Sequence, residues 1–140
     1  IPPLQRLTFF FFFNKLVLIM MKKELKVNKD YDSNLDIYTI TVDEDFEFQK
    51  SLEIEEGVIL DFDENNIPIS IEILDISKRL SITKQEVASS SISMKIKCTP
   101  EILEICIVFF YRVQDEEFEK TIDSKLANTF NIPQIELATA

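Results

Sequence analysis

Residues 57–75 read GVILDFDENNIPISIEILD, and this stretch decides the fold. Val58, Leu60 and Phe62 alternate with Ile59, Asp61 and Asp63; after Asn65-Asn66, Ile67, Ile69, Ile71 and Ile73 alternate with Pro68, Ser70, Glu72 and Leu74. Period-two alternation of branched and aromatic residues on both sides of a turn signal predicts a β-hairpin. A two-residue turn at Asn65-Asn66 would set Phe62 against Ile69, Leu60 against Ile71 and Val58 against Ile73. A slip of one residue would put Phe62 against Pro68 and Leu60 against Ser70, so the pattern selects its own register. Asn is the non-glycine residue that best tolerates the positive φ of such turns.

Outward from the hairpin, residues 24–28 read as a short strand and 29–34 (KDYDSN) as a polar turn. Residues 35–42 form a strand with Asp36, Tyr38, Ile40 and Val42 on one face, and residues 46–54 a strand entering the hairpin. After Asp75, ISKRL is a short helical turn, and Thr83 to Glu86 has capping-box form for a second helix ending near Ala88. In residues 91–98, Ile92, Met94, Ile96 and Cys98 face inward. Residues 102–113 form the longest strand, in which Ile107 to Tyr111 lack a polar break and read as buried on both faces. Residues 118–122 form a further strand, and QIELATA is an edge strand or a tail. The fold class is therefore mainly β (α+β at most), an antiparallel meander or sandwich built on hairpins with short helical turns near 76–88.

Residues 1–20 stand apart. Five consecutive phenylalanines, Phe9 to Phe13, precede Met20-Met21-Lys22-Lys23, so the segment reads as a non-native or disordered apolar leader, with the natural start at Met20 or Met21. The alternatives are a signal peptide or membrane anchor, or a genuine structural element. Asn14 and Lys15 split the apolar run, leaving neither half near the roughly 18 residues of a membrane span. Residues 21–82 then form one β unit and 83–140 a second packed on it. The second echoes the first: Leu25-Lys26-Val27 and Leu35-Asp36-Ile37 resemble Met94-Lys95-Ile96 and Leu103-Glu104-Ile105. Residues 43–47 likewise resemble 115–119, and Asn66-Ile67-Pro68 resembles Asn131-Ile132-Pro133. Either a degenerate duplication or a biased Ile/Glu/Lys composition would produce these echoes.

Composition narrows the function classes. The formal charge is −10, with 25 acidic against 15 basic residues, which argues against a nucleic-acid partner. With no His there is neither a histidine metal site nor an imidazole base. One Gly cannot build a P-loop, a dinucleotide fingerprint or a nucleophile elbow. Cys98 and Cys106 have no zinc or redox spacing and are expected as reduced thiols of a cytoplasmic protein.

Two carboxylate constellations could carry chemistry. Asp61-x-Asp63-x-Asn65 with Glu72 at the twelfth position fits a calcium-loop pattern, but Asn66 stands where that loop needs Gly and the flanks have strand period. Asp61, Asp63 and Glu72 are thus weak cation candidates on the polar face of a hairpin. Asp32, Asp36, Asp61 and Asp75 are candidates to converge as paired acids, against the plainer expectation of Asp32 in an Asx-turn and Asp75 capping the helix that follows. Tyr31 with Tyr38, and Phe109-Phe110-Tyr111, read as core before binding surface. Ser89 to Ser91 are a linker.

Tyr31-Asp32, Asp36, Gly57-Val58-Ile59-Leu60-Asp61-Phe62-Asp63 and Ile71-Glu72-Ile73-Leu74-Asp75, followed by Ser77-Lys78-Arg79-Leu80, resemble the family catalogued as domain of unknown function 2283. The likeness covers roughly residues 25–80. Ser33, Thr39, Asn66 and Ser70 depart from it, standing where Pro, Tyr, Gly and Gly are usual. The resemblance implies a small antiparallel β fold with no established activity, some members being suspected partners of toxin-like proteins. The expected function is a protein-interaction or homo-oligomerising module with no catalysis and no cofactor. The alternatives are an antitoxin-like neutraliser of a basic partner and a weak carboxylate metal-binding protein or hydrolase. The partner is a protein or a second copy, with no membrane unless the leader is real.

Overall fold

The computed structural model describes residues 22–139; the expectation for residues 1–20 lies outside them. The chain is mainly β, with ten strands in two five-stranded sheets and two short helices. The strands are β1 (Lys22–Leu25), β2 (Val27–Asp32), β3 (Ile37–Val42), β4 (Phe48–Glu55), β5 (Val58–Asp63) and β6 (Pro68–Ile73), then β7 (Ser91–Cys98), β8 (Ile102–Val113), β9 (Glu116–Ala127) and β10 (Ile135–Thr139). Between β6 and β7 lie α1 (Ile76–Leu80) and α2 (Lys84–Ser89). One sheet runs β2-β3-β6-β5-β4 and the other β1-β10-β7-β8-β9.

Alternation drives the packing. Tyr38, Ile40 and Val42 of β3 face inward with Val58, Leu60 and Phe62 of β5, and join Ile105, Ile107 and Phe109 of β8 in one hydrophobic core. Tyr38 meets Phe109 edge-on across the two sheets, ring centres 5.1 Å apart.

The central hairpin keeps the expected register from Val58↔Ile73 to Asp61↔Ser70, then departs from it. Its turn is not the two-residue reversal expected. Asp63 N–H donates to the Ile67 carbonyl (3.0 Å) and Asn66 N–H to the Asp63 carbonyl (3.0 Å), so Glu64, Asn65 and Asn66 form the loop. Asn66 takes the left-handed conformation (φ 63°) that ends such a three-residue loop. The longer loop slips the register by one, so Phe62 faces Pro68 rather than Ile69, and a bulge at Ile69 restores the pairing at Ser70. Pro68 has no N–H to contribute to a ladder and therefore suits a bulge.

Three further expectations are corrected. Residues 29–32, read as a turn, belong to β2, because pairing with β3 over Val27↔Val42 to Asp32↔Ile37 outweighs their polarity. Ile107 to Tyr111 are not buried on both faces: Ile107, Phe109 and Tyr111 point inward while Val108 and Phe110 are half-buried on the outer face. β10 is an interior strand, parallel to β1 and antiparallel to β7, rather than an edge or tail. Through that parallel pair, β1 joins the second sheet although it precedes residue 82 in the chain. The two sheets also pair differently: β10 lies beside β7, whereas β6 lies between β3 and β5.

Gly57 ends the β4–β5 turn at φ +77°, and a Cβ there would lie 2.6 Å from Arg79 Nη2, which donates to the Glu56 carbonyl. Gly57→Ala is expected to cost about 1–2 kcal/mol, since an L-residue is strained at that φ and Arg79 must leave its acceptor. Urea unfolding would show a lower midpoint at unchanged slope.

Candidate functional site

Tyr31, Asp32, Asp36 and Ser77 gather where the β2–β3 turn meets α1. Asp32 Oδ1 accepts from the N–H groups of Asn34 (3.0 Å) and Leu35 (3.1 Å), the expected Asx-turn. That turn delivers Asp36 in the left-handed conformation (φ 57°) with only 5% of its surface exposed. Asp36 Oδ1 accepts from Tyr31 Oη (2.7 Å) and Ser77 N–H (3.1 Å), and Oδ2 from Ser77 Oγ (2.7 Å). Its backbone carbonyl accepts from Ile76 N–H at 3.1 Å.

Asp36, not Asp75, therefore caps α1. Asp75 sits at the N-cap with φ 52° and makes no side-chain cap hydrogen bond. In the left-handed region its carboxylate is not aimed at the first-turn N–H groups, and the acid from the distant turn takes them. α2 has the expected capping box: Glu86 N–H donates to Thr83 Oγ1 (3.0 Å) and Thr83 N–H to Glu86 Oε1 (3.2 Å).

Burial alone pushes the Asp36 carboxyl up, but the bonds from Tyr31 and Ser77 and the nearby Lys84 charge outweigh it and hold the carboxyl below its ordinary value. Tyr31 is pushed the other way, by burial first and then by its bond to Asp36. A carboxylate with three donors and a lowered pKa stays ionised and weakly basic at neutral pH, the reverse of the raised pKa that makes a carboxyl a general acid. The arrangement works as a clasp between β2, β3 and α1. Ser77 was present in the sequence as the end of the IEILD-x-S run, but its partner lies 41 residues away, so no local pattern marks it.

Asp36 alone of Asp32, Asp36, Asp61 and Asp75 enters the clasp. Asp61 lies on the outer face of the first sheet, in a row Thr41–Ser70–Asp61–Ser51 across four strands, where Ser51 Oγ donates to it. Asp63 Oδ1 accepts from Asn65 N–H (2.8 Å) and Ile67 N–H (3.0 Å) and so braces the hairpin turn. Glu72 stands in the next row, between Thr39 and Ile59. The three cation candidates share a face, yet among the described residues no three His, Cys, Asp or Glu side chains group closely enough to hold a metal ion.

Two open grooves are lined by charge. One of about 450 Å³ on the outer face of the second sheet is lined by Lys95, Lys97, Glu104, Cys106, Asp123 and Lys125. Burial and then Asp123 raise the Cys106 thiol pKa, with Lys95 opposing them, so the thiol stays protonated at neutral pH. The other, about 750 Å³, lies between the β4–β5 turn and α1 beside Arg79.

Both ends of the clasp fall inside the region of known likeness. Residues 29–77 match the model of the family described as Protein of unknown function (DUF2283). The resemblance seen in the sequence thus holds from β2 to the first turn of α1, and every strand of the second sheet lies outside the match. No curated protein and no solved structure matches the chain. One departure from the family pattern has a structural use here. Asn66, where Gly is usual, keeps the left-handed turn, and its Nδ2 donates to the carbonyls of Phe130 (2.7 Å) and Asn131 (2.6 Å). The hairpin is thereby tied to the β9–β10 loop beyond the matched region. No helix among the described residues is long and apolar enough to cross a membrane.

Proposed function

We propose that the protein works by contact with another protein chain, as a small β module without catalysis of its own. One observation carries this reading. β9 pairs with β8 over twelve unbroken residue pairs, and among the described residues nothing pairs with its other side. The other edges are blunted: β1 has four residues, β2 six, and the β4–β5 ladder shifts register twice, at Phe48/Lys50 and at Glu53/Glu55. Bulged or short edges are how sheets avoid pairing, and a long regular one is how they recruit a strand. Phe118 of β9 and Val113 beside its turn are large apolar residues left exposed, which suits a surface that a partner covers. A basic partner is the second reading, since a charge of −10 would steer it. Cytoplasmic placement belongs with the same proposal and is supported by the two free thiols.

A photoreactive amino acid at Thr121, exposed on the outer face of β9, tests the reading. Irradiation in cells is expected to give a covalent adduct with a protein chain. Absence of any protein adduct, with the chain folded and expressed, contradicts it.

A further inference from the structure

We propose that the chain covering β9 is a second copy of this protein, joined antiparallel across a two-fold axis at Ile122, so that the two five-stranded sheets become one of ten strands. This rests on the contact reading above and names its partner. Residues directly opposite in an antiparallel pair share a face, so a two-fold at Ile122 sets each residue against the one equally far on the other side. On the outer face Glu119 of each copy then meets Lys125 of the other, and Thr121 meets Asp123. On the inner face Phe118 meets Leu126, Lys120 meets Ser124, and Ile122 meets its own copy. The Glu119–Lys125 ion pair and the Phe118–Leu126 contact each occur twice by symmetry, and the Ile122 contact once, on the axis.

Adjacent registers are worse. Moving the axis one residue toward Thr121 gains Glu117 against Lys125 but sets Glu119 against Asp123. Moving it to Asp123 sets that acid against itself. Like charges directly opposite are destabilising, so the charge order along β9 selects one alignment. Glu119, Thr121, Asp123 and Lys125 are exposed and Phe118 is 43% exposed, whereas Ile122 and Ser124 are buried, Ser124 Oγ donating to Glu55 of its own chain. Lys125 also lies 3.5 Å from Glu104 of its own chain in an exposed pair, which does not hold it away from the edge. A symmetric pairing buries Phe118 and closes the twelve-residue β9 edge without a further chain. Two-fold pairing of this kind is self-limiting, because each copy has one such strand to offer.

Light scattering on the full chain, with variants at the two charged positions, tests this. The unaltered chain is expected at twice 16.3 kDa. Glu119→Lys and Lys125→Glu should each weaken the homodimer about tenfold, since each sets like charges opposite one another twice. An equimolar mixture of the two variants should regain the dimer, because Lys at 119 and 125 of one chain then meets Glu at 125 and 119 of the other. That rescue does not depend on either variant being as stable as the parent. A chain monomeric at all concentrations, or a dimer indifferent to both substitutions and to mixing, overturns the proposal. In cells, a Thr121 adduct with other proteins but never with a second copy overturns self-pairing while leaving the contact reading standing; no adduct at all removes both.

Discussion

Phe109→Ala is expected to destabilise the protein by about 3–5 kcal/mol, a large share of the roughly 5–15 kcal/mol that holds a domain of this size together. Phe109 has 0% of its surface exposed and belongs to the core between the two sheets. Removing its ring opens a cavity that β8 cannot collapse to fill, because that strand is paired on both sides, to β7 and to β9. It also removes the edge-to-face contact with Tyr38, worth about 0.5–1.5 kcal/mol beyond the area buried. Phe110→Ala, one residue along on the half-buried outer face, should cost no more than about 1–2 kcal/mol. Chemical denaturation of both variants measures the difference. Equal costs would mean that β8 is covered on both faces and that the sandwich is wrong.

Asp36→Ala is the second large effect, about 3–4 kcal/mol. It strips the acceptor from Tyr31 Oη, Ser77 Oγ and Ser77 N–H at once, and leaves a non-glycine residue without Asp's tolerance of φ 57°. Thermal unfolding should fall by roughly 10–15 °C. Tyr31→Phe removes one donor and should cost about 1 kcal/mol. The clasp also sets a pH dependence. Because the Asp36 pKa is lowered in the folded state, its contribution is complete above the ordinary carboxyl value near 4 and is lost as pH falls through the lower, folded value. Because the Tyr31 pKa is raised, its contribution is complete below about pH 10 and is lost as pH rises beyond that. Between those limits the clasp contributes no slope. Asp36→Asn should therefore flatten the acid limb of the stability curve, and an unchanged acid limb would show that the carboxylate is not the group held there.

Much of the architecture could be read from local pattern, and its misses share a cause. Alternation in residues 58–62 and 91–98, the capping box at Thr83 and the length of β8 are properties of adjacent residues, and each stands in the structure as read. What escaped depends on residues far apart. The length of the turn after Asp63 was hidden because Asn65 and Asn66 are equally good turn residues; the third loop position shows only in the Asp63–Ile67 pairing. Asp75 precedes a helix and looks like its cap, yet Asp36 takes that place from another turn. β10 reads as a loose end because nothing in QIELATA reveals that β1 and β7 flank it. At the candidate site, Tyr31, Asp32 and Asp36 were visible as a motif, whereas their meeting with Ser77 was not. The free edge of β9 was also hidden, since a strand shows its own alternation but not which side lacks a neighbour.

Residue-resolved amide exchange along β9 tests the central claim, that this strand works with its open side covered. Half of the amides of an edge strand bond inward, here to β8, and the other half point to the open side. At high concentration of the full chain, both halves are expected to exchange as slowly as the amides of β8, the outward half speeding up on dilution. An outward half that exchanges at open-edge rates in the purified chain at every concentration, and still does so after cell extract is added, would contradict the account.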